Sequence, residues 1–314
     1  MSQSSGPKTT SRPIRIIEVG PRDGLQNEPG LISTEDKVSF VNALSQTGVA
    51  EIEIGSFVSP QAIPQLADSD EVARKIERRP DVTYSALVPN ERGYERARAA
   101  AMQKIAVFTA ASETFSQRNI KCGIRESIDR FTPVVAEAKR DRMAVRGYIS
   151  AVTHCPFEGR IDSSQVVEVM HRLLHLGVDE ISLGDTIGKA SPNDVRKLLD
   201  QVLPHIEPRR LSLHFHDTYG MAVANVLTAW MDYGIEAFDT AAGGLGGCPY
   251  APGASGNVAT EDTVYALKAS GADVSVDEQR VIAAAQQIAK GLNRPLSSRL
   301  SRIPAEHTAY ERAI

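Results

Sequence analysis

The chain has 314 residues, of which 42% are hydrophobic and 24% charged, a composition typical of a globular protein with a sizeable core. Its 35 Lys and Arg residues against 39 Asp and Glu give a net charge of −4, which predicts no nucleic-acid partner and no attraction to acidic membranes. The apolar pattern predicts neither a membrane span nor a secretory signal. Three scattered cysteines suit a reducing compartment, so we expect a cytoplasmic protein.

Short apolar runs rich in β-branched residues alternate with helical segments almost to the end of the chain. The runs predict eight strands, at residues 14–19, 50–55, 82–88, 104–110, 145–152, 179–183, 211–216 and 236–240. Apolar residues at helical spacing predict helices at residues 34–46, 64–76, 91–101, 124–140, 163–176, 192–203, 220–233 and 260–269. Ser33 and Ser191 stand where helices should begin, and Gly48, Gly177 and Gly234 where helices should end.

Eight βα units in one chain predict an α/β fold, a single closed (β/α)8 barrel of the TIM type with a short C-terminal helical extension. A doubly wound sheet is the alternative, but the turn after the first strand, GPRDG at 20–24, lacks the G-x-G-x-x-G pattern of such folds. We expect residues 13–293 to form the catalytic barrel domain, with a trailing helix at 276–292. Residues 1–12 are predicted to be a disordered N-terminal segment and residues 294–314 a polar tail.

Polar residues gather at the predicted carboxyl ends of the strands, where a (β/α)8 barrel places its chemistry. From the first strand to the eighth they are Arg22, Asp23, Gln26, Asn27, Glu53, Ser56, Asp185, Thr186, His214, His216, Asp217, Cys248 and Asn257. The sequence therefore predicts an active site at one end of the barrel.

The clearest local signal is the sequence His214-Phe-His216 in the seventh predicted strand. Because side chains alternate along a strand, both imidazoles project to one face, as half of a metal site would require. A pair of satisfied core histidines is the alternative interpretation. Asp23 and Asn257 would complete a set of two nitrogens and two oxygens that suits Mg²⁺ or Mn²⁺ better than structural zinc. Asp217 either orients an imidazole or caps the next helix.

Arg22 precedes Asp23 at the predicted mouth of the barrel. On a surface loop such a pair is a solvated ion pair of little worth. Beside a divalent ion the guanidinium would stabilise an oxyanion, which is the interpretation we favour. Glu51 and Glu53 alternate in phase on the second strand, so both should face the lumen and need partners. We expect Glu53 to pair with Arg22 and Glu51 with Lys104.

Residues 243–257, GGLGGCPYAPGASGN, place many glycines around Cys248. Such a segment is either simply a flexible loop or a mobile lid that carries an acid/base thiol over the barrel mouth. Cys122 and Cys155 lack such a setting, and we expect them to be buried as small hydrophobes.

Six collinear strings carry a resemblance to a known family. They are GPRDGLQNE at 20–28, GSFVSP at 55–60, ASETFSQRN at 111–119, SLGDTIG at 182–188, HFHDTYG at 214–220 and GLGGCPY at 244–250. Over about residues 14–292 the chain resembles 3-hydroxy-3-methylglutaryl-CoA (HMG-CoA) lyase. The resemblance implies a metal-dependent carbon–carbon lyase on a (β/α)8 barrel, and a homodimer is typical of the family.

The resemblance also implies roles for individual residues. The ligands of a divalent cation, Mg²⁺ or Mn²⁺, would be Asp23, His214, His216 and Asn257. Arg22 would stabilise the thioester enolate, and Cys248 would be the acid/base on the lid. The other implied residues are two supports of the catalytic site, Glu53 and Asp185, and three that line the substrate, Gln26, Ser56 and Thr186. The substrate would be an acyl-CoA whose hydroxyl loses its proton as the C2–C3 bond breaks; HMG-CoA would yield acetoacetate and acetyl-CoA.

Several positions depart from the family's usual residues. Pro29 stands where lysine is common, Gln61-Ala62 where Lys-Trp is common, and His154 where glycine is common. His154 either binds substrate or is a loop histidine with no role. An altered acyl pocket would favour a related substrate such as citramalyl-CoA, cleaved to pyruvate and acetyl-CoA. A Claisen-type synthase and a non-catalytic CoA- or metal-binding barrel are the further alternatives.

Overall fold

The computed structural model describes residues 12–247, 256–292 and 294–303. Its strands are β1 (Arg15–Glu18), β2 (Glu51–Ser56), β3 (Thr83–Leu87), β4 (Lys104–Ala110), β5 (Ala144–Ser150), β6 (His154–Cys155), β7 (Gly159–Arg160), β8 (Glu180–Asp185), β9 (Leu211–Phe215) and β10 (Ala237–Thr240). β6 and β7 form a separate antiparallel hairpin. The other eight strands are parallel and close into a barrel in chain order, with β10 paired to β1. The predicted (β/α)8 barrel is confirmed.

Ten helices surround the barrel or follow it within the described part of the chain. They are α1 (Thr34–Leu44), α2 (Ser69–Lys75), α3 (Glu91–Ala99), α4 (Glu113–Ile120), α5 (Ile124–Arg140), α6 (Ser163–Leu176), α7 (Pro192–Val202), α8 (Ala222–Tyr233), α9 (Thr260–Ala269) and α10 (Glu278–Ala289). Ser33 and Ser191 cap α1 and α7 through their hydroxyls. Gly177 and Gly234 end α6 and α8 in the left-handed conformation, as predicted.

One predicted helix is divided. Residues 64–76 form a 3₁₀ turn at Pro64–Leu66 and then α2. Tertiary hydrogen bonds account for the break: the Gln65 side chain accepts from the Ile32 amide, and the Ser69 hydroxyl accepts from the Ser56 amide. Helix α4 and the β6–β7 hairpin were not predicted, because each is too short to show a hydrophobic period.

The apolar core lies between the strands and the helices. Ile16, Ile52 and Ile105 of the strands and Phe40 and Leu173 of the helices belong to one buried cluster. This layer accounts for the regular alternation in the sequence, because each strand turns every second side chain towards a helix.

Charged side chains fill part of the lumen. Lys104 donates to Glu51 at 2.8 Å, which confirms the predicted pair, and also contacts Glu180. Buried charges need partners of opposite sign, and here the partners come from three different strands. The lower lumen is therefore polar but paired.

The chain after the barrel packs back onto it. Helix α10 lies against α1, and the following segment bonds to the loop after β10, with the Ser297 amide donating to Gly243 O at 3.1 Å. Ser298 is buried and donates to Asp262. The predicted polar tail thus packs where it is described; residues 304–314 and most of the predicted disordered segment lie outside the described residues. Within the described chain, none of the helices combines the length and apolar character needed to cross a membrane.

Candidate active site at the barrel mouth

A single π-helical turn at Gly20–Gly24 places Arg22 and Asp23 directly after β1. The Gly24 amide donates to Val19 O, five residues earlier, at 3.2 Å. Such turns bulge the backbone and are frequent at functional sites. A Cβ on Gly24 would lie 2.8 Å from the Leu245 Cβ. Glycine is therefore required at Gly24 for the turn to approach the loop after β10.

Strand β9 turns both histidines towards the same point, as the period of two predicted. The Nε2 atoms of His214 and His216 lie 3.9 and 3.8 Å from Asp23 Oδ2. One donor atom from each of the three residues lies within 4.8 Å of the others. Both imidazoles are buried. The alternative of two core histidines satisfied by ordinary packing does not account for this convergence on a carboxylate.

Asn257 joins the cluster from a distant part of the chain. Its backbone forms an antiparallel bridge with His216. Its Nδ2 donates to Asp23 Oδ2 at 2.9 Å and to Leu245 O at 3.0 Å, while its Oδ1 is buried with no hydrogen-bond partner among the described residues. A Cβ on Gly246 would lie 2.6 Å from Asn257 Nδ2, so the loop can pass here only as glycine.

These four side chains fit a divalent cation. They offer a carboxylate oxygen, two imidazole nitrogens and an amide oxygen, a donor set that suits Mg²⁺ or Mn²⁺. The observation that favours a bound ion is the buried Asn257 Oδ1, which has no hydrogen-bond partner within the described part of the chain, because an unsatisfied buried acceptor is costly. The set is the one predicted from the sequence.

Electrostatics favour the metal-binding protonation states of Asp23 and His216, whereas Asp239 and Asp23 raise the pKa of His214 against the effect of burial. Burial acts to raise the pKa of Asp23, but the neighbouring Arg22 guanidinium and the two histidines outweigh it and hold that pKa well below its usual value. Burial, together with His214, lowers the pKa of His216 to about 4. Asp23 is thus a carboxylate and His216 a neutral imidazole near pH 7, the forms in which both bind metals.

Arg22 is held from two sides. Its Nε donates to Glu53 Oε2 at 2.5 Å, which confirms the predicted pair, and its Nη1 donates to Asp23 at 2.6 Å. Its Cζ lies 5.4 Å from the centre of the Tyr148 ring, within the range of a cation–π contact. Arg22 is 7% exposed, so this is not the solvated surface pair of the alternative interpretation.

The carboxylate behind His214 is Asp239, which was not among the residues predicted from the sequence. Asp239 Oδ2 lies 3.4 Å from His214 Nδ1. The signal was a single acid within a short apolar strand, in phase with the lumen. Asp217, the candidate named from sequence, instead accepts from the Ala222 amide at the start of α8 and pairs with Arg299. Asp217 therefore caps a helix.

A cavity of about 1120 Å³ opens beside the candidate metal site. Arg22, Asp23, His214 and His216 line it, as do the two predicted substrate-lining residues Gln26 and Thr186. Pro29 and Ala62 also line the wall, so two departures from the family's usual residues face the place where an acyl-CoA would bind.

Other predicted residues lie behind this wall. Ser56 is fully buried at the end of β2. Asp185 accepts from Thr153 Oγ1 at 3.0 Å and from the Ala190 amide at 2.9 Å, and burial raises its pKa to about 6. It thus ties two loops of the mouth together. His154 is buried in β6, paired with Arg160, and is not among the described residues that line the cavity.

The structure describes two of the three cysteines. Cys122 and Cys155 are buried, as expected. Cys248, the predicted acid/base, lies outside the described residues. The described loop on its near side, ending at Gly247, borders the cavity and accepts a hydrogen bond from Asn27.

Fold and site together define a class: a (β/α)8 barrel with a candidate divalent-metal site at its mouth. The HMGL-like family model matches residues 13–288. The cytoplasmic 3-hydroxy-3-methylglutaryl-CoA lyase of Mus musculus is 49% identical over 288 residues, which cover 92% of this chain and 84% of that protein. The chain therefore belongs to the HMGL-like family, and within it to the HMG-CoA lyases.

Solved structures agree with this assignment. An HMG-CoA lyase from Bacillus subtilis is 45% identical with a TM-score of 0.91, and the match covers 94% of this chain and 98% of that chain. An HMG-CoA lyase from Acinetobacter baumannii, solved in complex with coenzyme A and 3-methylmalate, is 38% identical with a TM-score of 0.89 and coverages of 93% and 95%. Relatives carry both cytoplasmic and mitochondrial names, so the cytoplasmic compartment stays a prediction.

Proposed function

We propose that this chain cleaves HMG-CoA to acetoacetate and acetyl-CoA with the help of Mg²⁺ or Mn²⁺. Membership of the HMG-CoA lyases makes it a carbon–carbon lyase. The observation that carries the proposal is the convergence of Asp23, His214, His216 and Asn257 beside a buried Arg22, at the wall of a large cavity.

The four ligands would hold the cation, which when bound polarises the substrate's hydroxyl and carboxylate and acidifies the hydroxyl. The remaining chemistry falls to the protein. The hydroxyl proton passes to a general base, the O–H electron pair becomes the new C=O bond of acetoacetate, and the C2–C3 bond pair passes to the thioester as an enolate. Protonation of that enolate at C2 completes acetyl-CoA.

Arg22 is the group placed to stabilise the enolate oxygen. Its guanidinium is always charged and already oriented by Glu53 and Tyr148, so no reorganisation is needed as negative charge develops. Burial strengthens this interaction because little water competes with it. We propose Cys248 as the acid that protonates C2, on the strength of the family motif alone.

The substrate class follows from the cavity. A volume of about 1120 Å³ is ample for an acyl group and part of the pantetheine arm. We propose Gln26 and Thr186 as direct contacts of the acyl group because both face the cavity. Ser56, Asp185 and His154 would act indirectly, through the loops that they hold. Citramalyl-CoA, the alternative, is less favoured because relatives that are 47–49% identical carry HMG-CoA lyase names.

The decisive experiment is a coupled acetyl-CoA assay with HMG-CoA and citramalyl-CoA offered in parallel, in the presence of Mg²⁺ or Mn²⁺. We expect kcat/KM for HMG-CoA to exceed that for citramalyl-CoA at least tenfold. The reverse preference would assign the altered wall residues to a different acyl group. No cleavage of any 3-hydroxyacyl-CoA, with metal and thioester still bound, would leave a non-catalytic binding barrel.

Two matched variants extend this assay. His154→Gly restores the residue common in the family, and we expect little change in the ratio of the two kcat/KM values because His154 is not one of the residues that line the cavity in the described part of the chain. Ala62→Trp alters the wall itself and should change KM.

A homodimer stays a prediction, which light scattering of the purified protein would test.

A further inference from the structure

The lower lumen contains charged side chains that the proposed reaction does not use. Arg146, in the middle of β5, is only 1% exposed. A (β/α)8 barrel usually fills this region with branched apolar side chains. Buried ion pairs stabilise a fold no better than apolar side chains of similar volume, because desolvation offsets the attraction between the charges. The position of Arg146 therefore needs another explanation.

Its guanidinium spans the lumen. Nε donates to Glu180 Oε1 at 2.6 Å and Nη2 to Glu51 Oε2 at 3.3 Å, both towards the charged cluster around Lys104. Nη1 donates to Asp239 Oδ1 and to Tyr148 Oη, each at 3.3 Å. The contacts of Nη1 lead in the other direction, towards the mouth.

The contact of Arg146 with Asp239 leads to the candidate metal ligand His214. Asp239 accepts from Arg146 through Oδ1 and from the Ser182 hydroxyl through Oδ2 at 2.8 Å. The same Oδ2 lies 3.4 Å from His214 Nδ1, and His214 Nε2 faces Asp23. A carboxylate at Nδ1 keeps the proton on that nitrogen and leaves the Nε2 lone pair for a metal.

The second contact leads to the catalytic arginine. Tyr148 Oη donates to Glu53 Oε2 at 3.3 Å, and the same Oε2 accepts from Arg22 Nε. The Tyr148 ring also packs near Arg22 and His214. Its centre lies 5.4 Å from Arg22 Cζ, and it meets the His214 ring edge-on with 6.3 Å between the ring centres. One guanidinium nitrogen thus supports both halves of the site.

We propose that Arg146 and Asp239 are positioning residues that hold the metal ligand His214 and the oxyanion-stabilising Arg22 in one rigid frame. Asp239 sets the tautomer and ring orientation of His214. Arg146 fixes Asp239 and, through Tyr148 and Glu53, the guanidinium of Arg22. The proposal rests on the metal-dependent function proposed above.

The test measures Mn²⁺ binding without substrate, by electron paramagnetic resonance titration of the metal-free protein. We expect Asp239→Asn to weaken Mn²⁺ affinity roughly 10–100-fold, the effect usual for a group that orients a ligand. Imidazole ¹⁵N NMR of the same protein should show His214 shift from the Nδ1–H towards the Nε2–H tautomer. Arg146→Lys keeps the charge and should show a smaller loss of affinity and a lower kcat at saturating Mn²⁺.

Glu180→Gln is the matched control. It removes a carboxylate from the same guanidinium but touches neither Asp239 nor Tyr148, so it should lower thermal stability and leave Mn²⁺ affinity within about twofold. If Asp239→Asn fails to fold, Ser182→Ala tests the same point, because it frees Asp239 Oδ2 while removing only a hydroxyl. We expect it to weaken Mn²⁺ affinity severalfold.

Two results would overturn the proposal: unchanged Mn²⁺ affinity in folded Asp239→Asn, or unchanged affinity and tautomer in Ser182→Ala. Both readouts are independent of the acyl-CoA used. They are therefore separate from the failure of the proposed function, which would appear as Asp23→Asn leaving Mn²⁺ binding intact or as no cleavage of HMG-CoA.

Discussion

Two carboxyl groups five residues apart, Glu18 and Asp23, have pKa values shifted in opposite directions. Asp23 lies in the π-helical turn at the mouth, and Glu18 is the last residue of β1. Glu18 accepts from the amides of Gly20 and Ala242 at 2.8 and 3.0 Å and from the Thr260 hydroxyl at 2.7 Å. Burial raises the pKa of Glu18 to about 7, whereas the pKa of Asp23 is held well below its usual value.

The difference lies in the neighbours, since desolvation acts to raise the pKa of both groups. Asp23 has the Arg22 guanidinium at 2.6 Å and two imidazoles beyond it. Glu18 has neutral donors, and the nearby acid Glu261 adds repulsion. A buried carboxyl with cationic neighbours stays ionised and can bind a metal, while one with neutral donors anchors the backbone. Glu18 fastens the start of the glycine-rich loop, as Glu261 does at Gly243.

The largest effect should come from removal of the ionised carboxylate. We expect Asp23→Asn to abolish measurable cleavage and to weaken Mn²⁺ affinity more than 100-fold, beyond the roughly 10–100-fold of an outer-shell residue. Titration calorimetry with Mn²⁺ measures this. Asp81→Asn, at an exposed carboxylate paired with Arg79, is the matched control and should change neither quantity. Tight Mn²⁺ binding by Asp23→Asn would remove Asp23 from the ligand set.

The next effect tests the charge that separates the two carboxylates. Arg22→Gln should lower kcat about 10²–10³-fold, the range seen when one oxyanion-stabilising donor is lost. Mn²⁺ affinity should change much less, because the four ligands remain. Arg22→Lys keeps the charge without the paired geometry and should fall between wild type and Arg22→Gln. An increase in KM with kcat unchanged would contradict the role of Arg22 in stabilising the enolate oxygen.

A third variant tests the anchoring carboxyl. Glu18→Ala leaves two buried amides without an acceptor, which should lower the free energy of unfolding by about 2–4 kcal/mol in urea denaturation. Glu18→Gln retains an acceptor oxygen for both amides and should cost under about 1 kcal/mol. Equal losses in the two variants would show that the hydrogen bonds to Gly20 and Ala242 are not what stabilises this region.

The smallest effect concerns pH. Because the pKa of Glu18 is raised from 4.5 to about 7 on folding, the folded state binds the extra proton between these values, and stability falls as pH rises through that window. Glu18→Gln cannot titrate, so its stability relative to wild type should improve from pH 5 to 7 and then stay constant. The raised pKa of Asp185 acts alike in both proteins and cancels. If the difference in stability between Glu18→Gln and wild type does not change between pH 5 and 7, the pKa of Glu18 is not raised on folding.

Much of the site was predictable because it depends on local rules. The alternation of side chains in β9 places His214 and His216 on one face whatever the surrounding fold. The phase of Glu51 and Glu53 pointed both into the lumen, where their partners Lys104 and Arg22 were found. Eight βα units predicted the closed barrel.

The barrel, the facing pair of histidines and the polar set at the strand ends could be predicted from local pattern, because periodicity and short spacing are properties of neighbouring residues. Three features required the folded chain: Asp239 rather than Asp217 reaches His214, His154 lies in a hairpin, and Arg146 contacts both halves of the site. Those contacts depend on the relative register of strands far apart in the chain, and barrel closure sets that register.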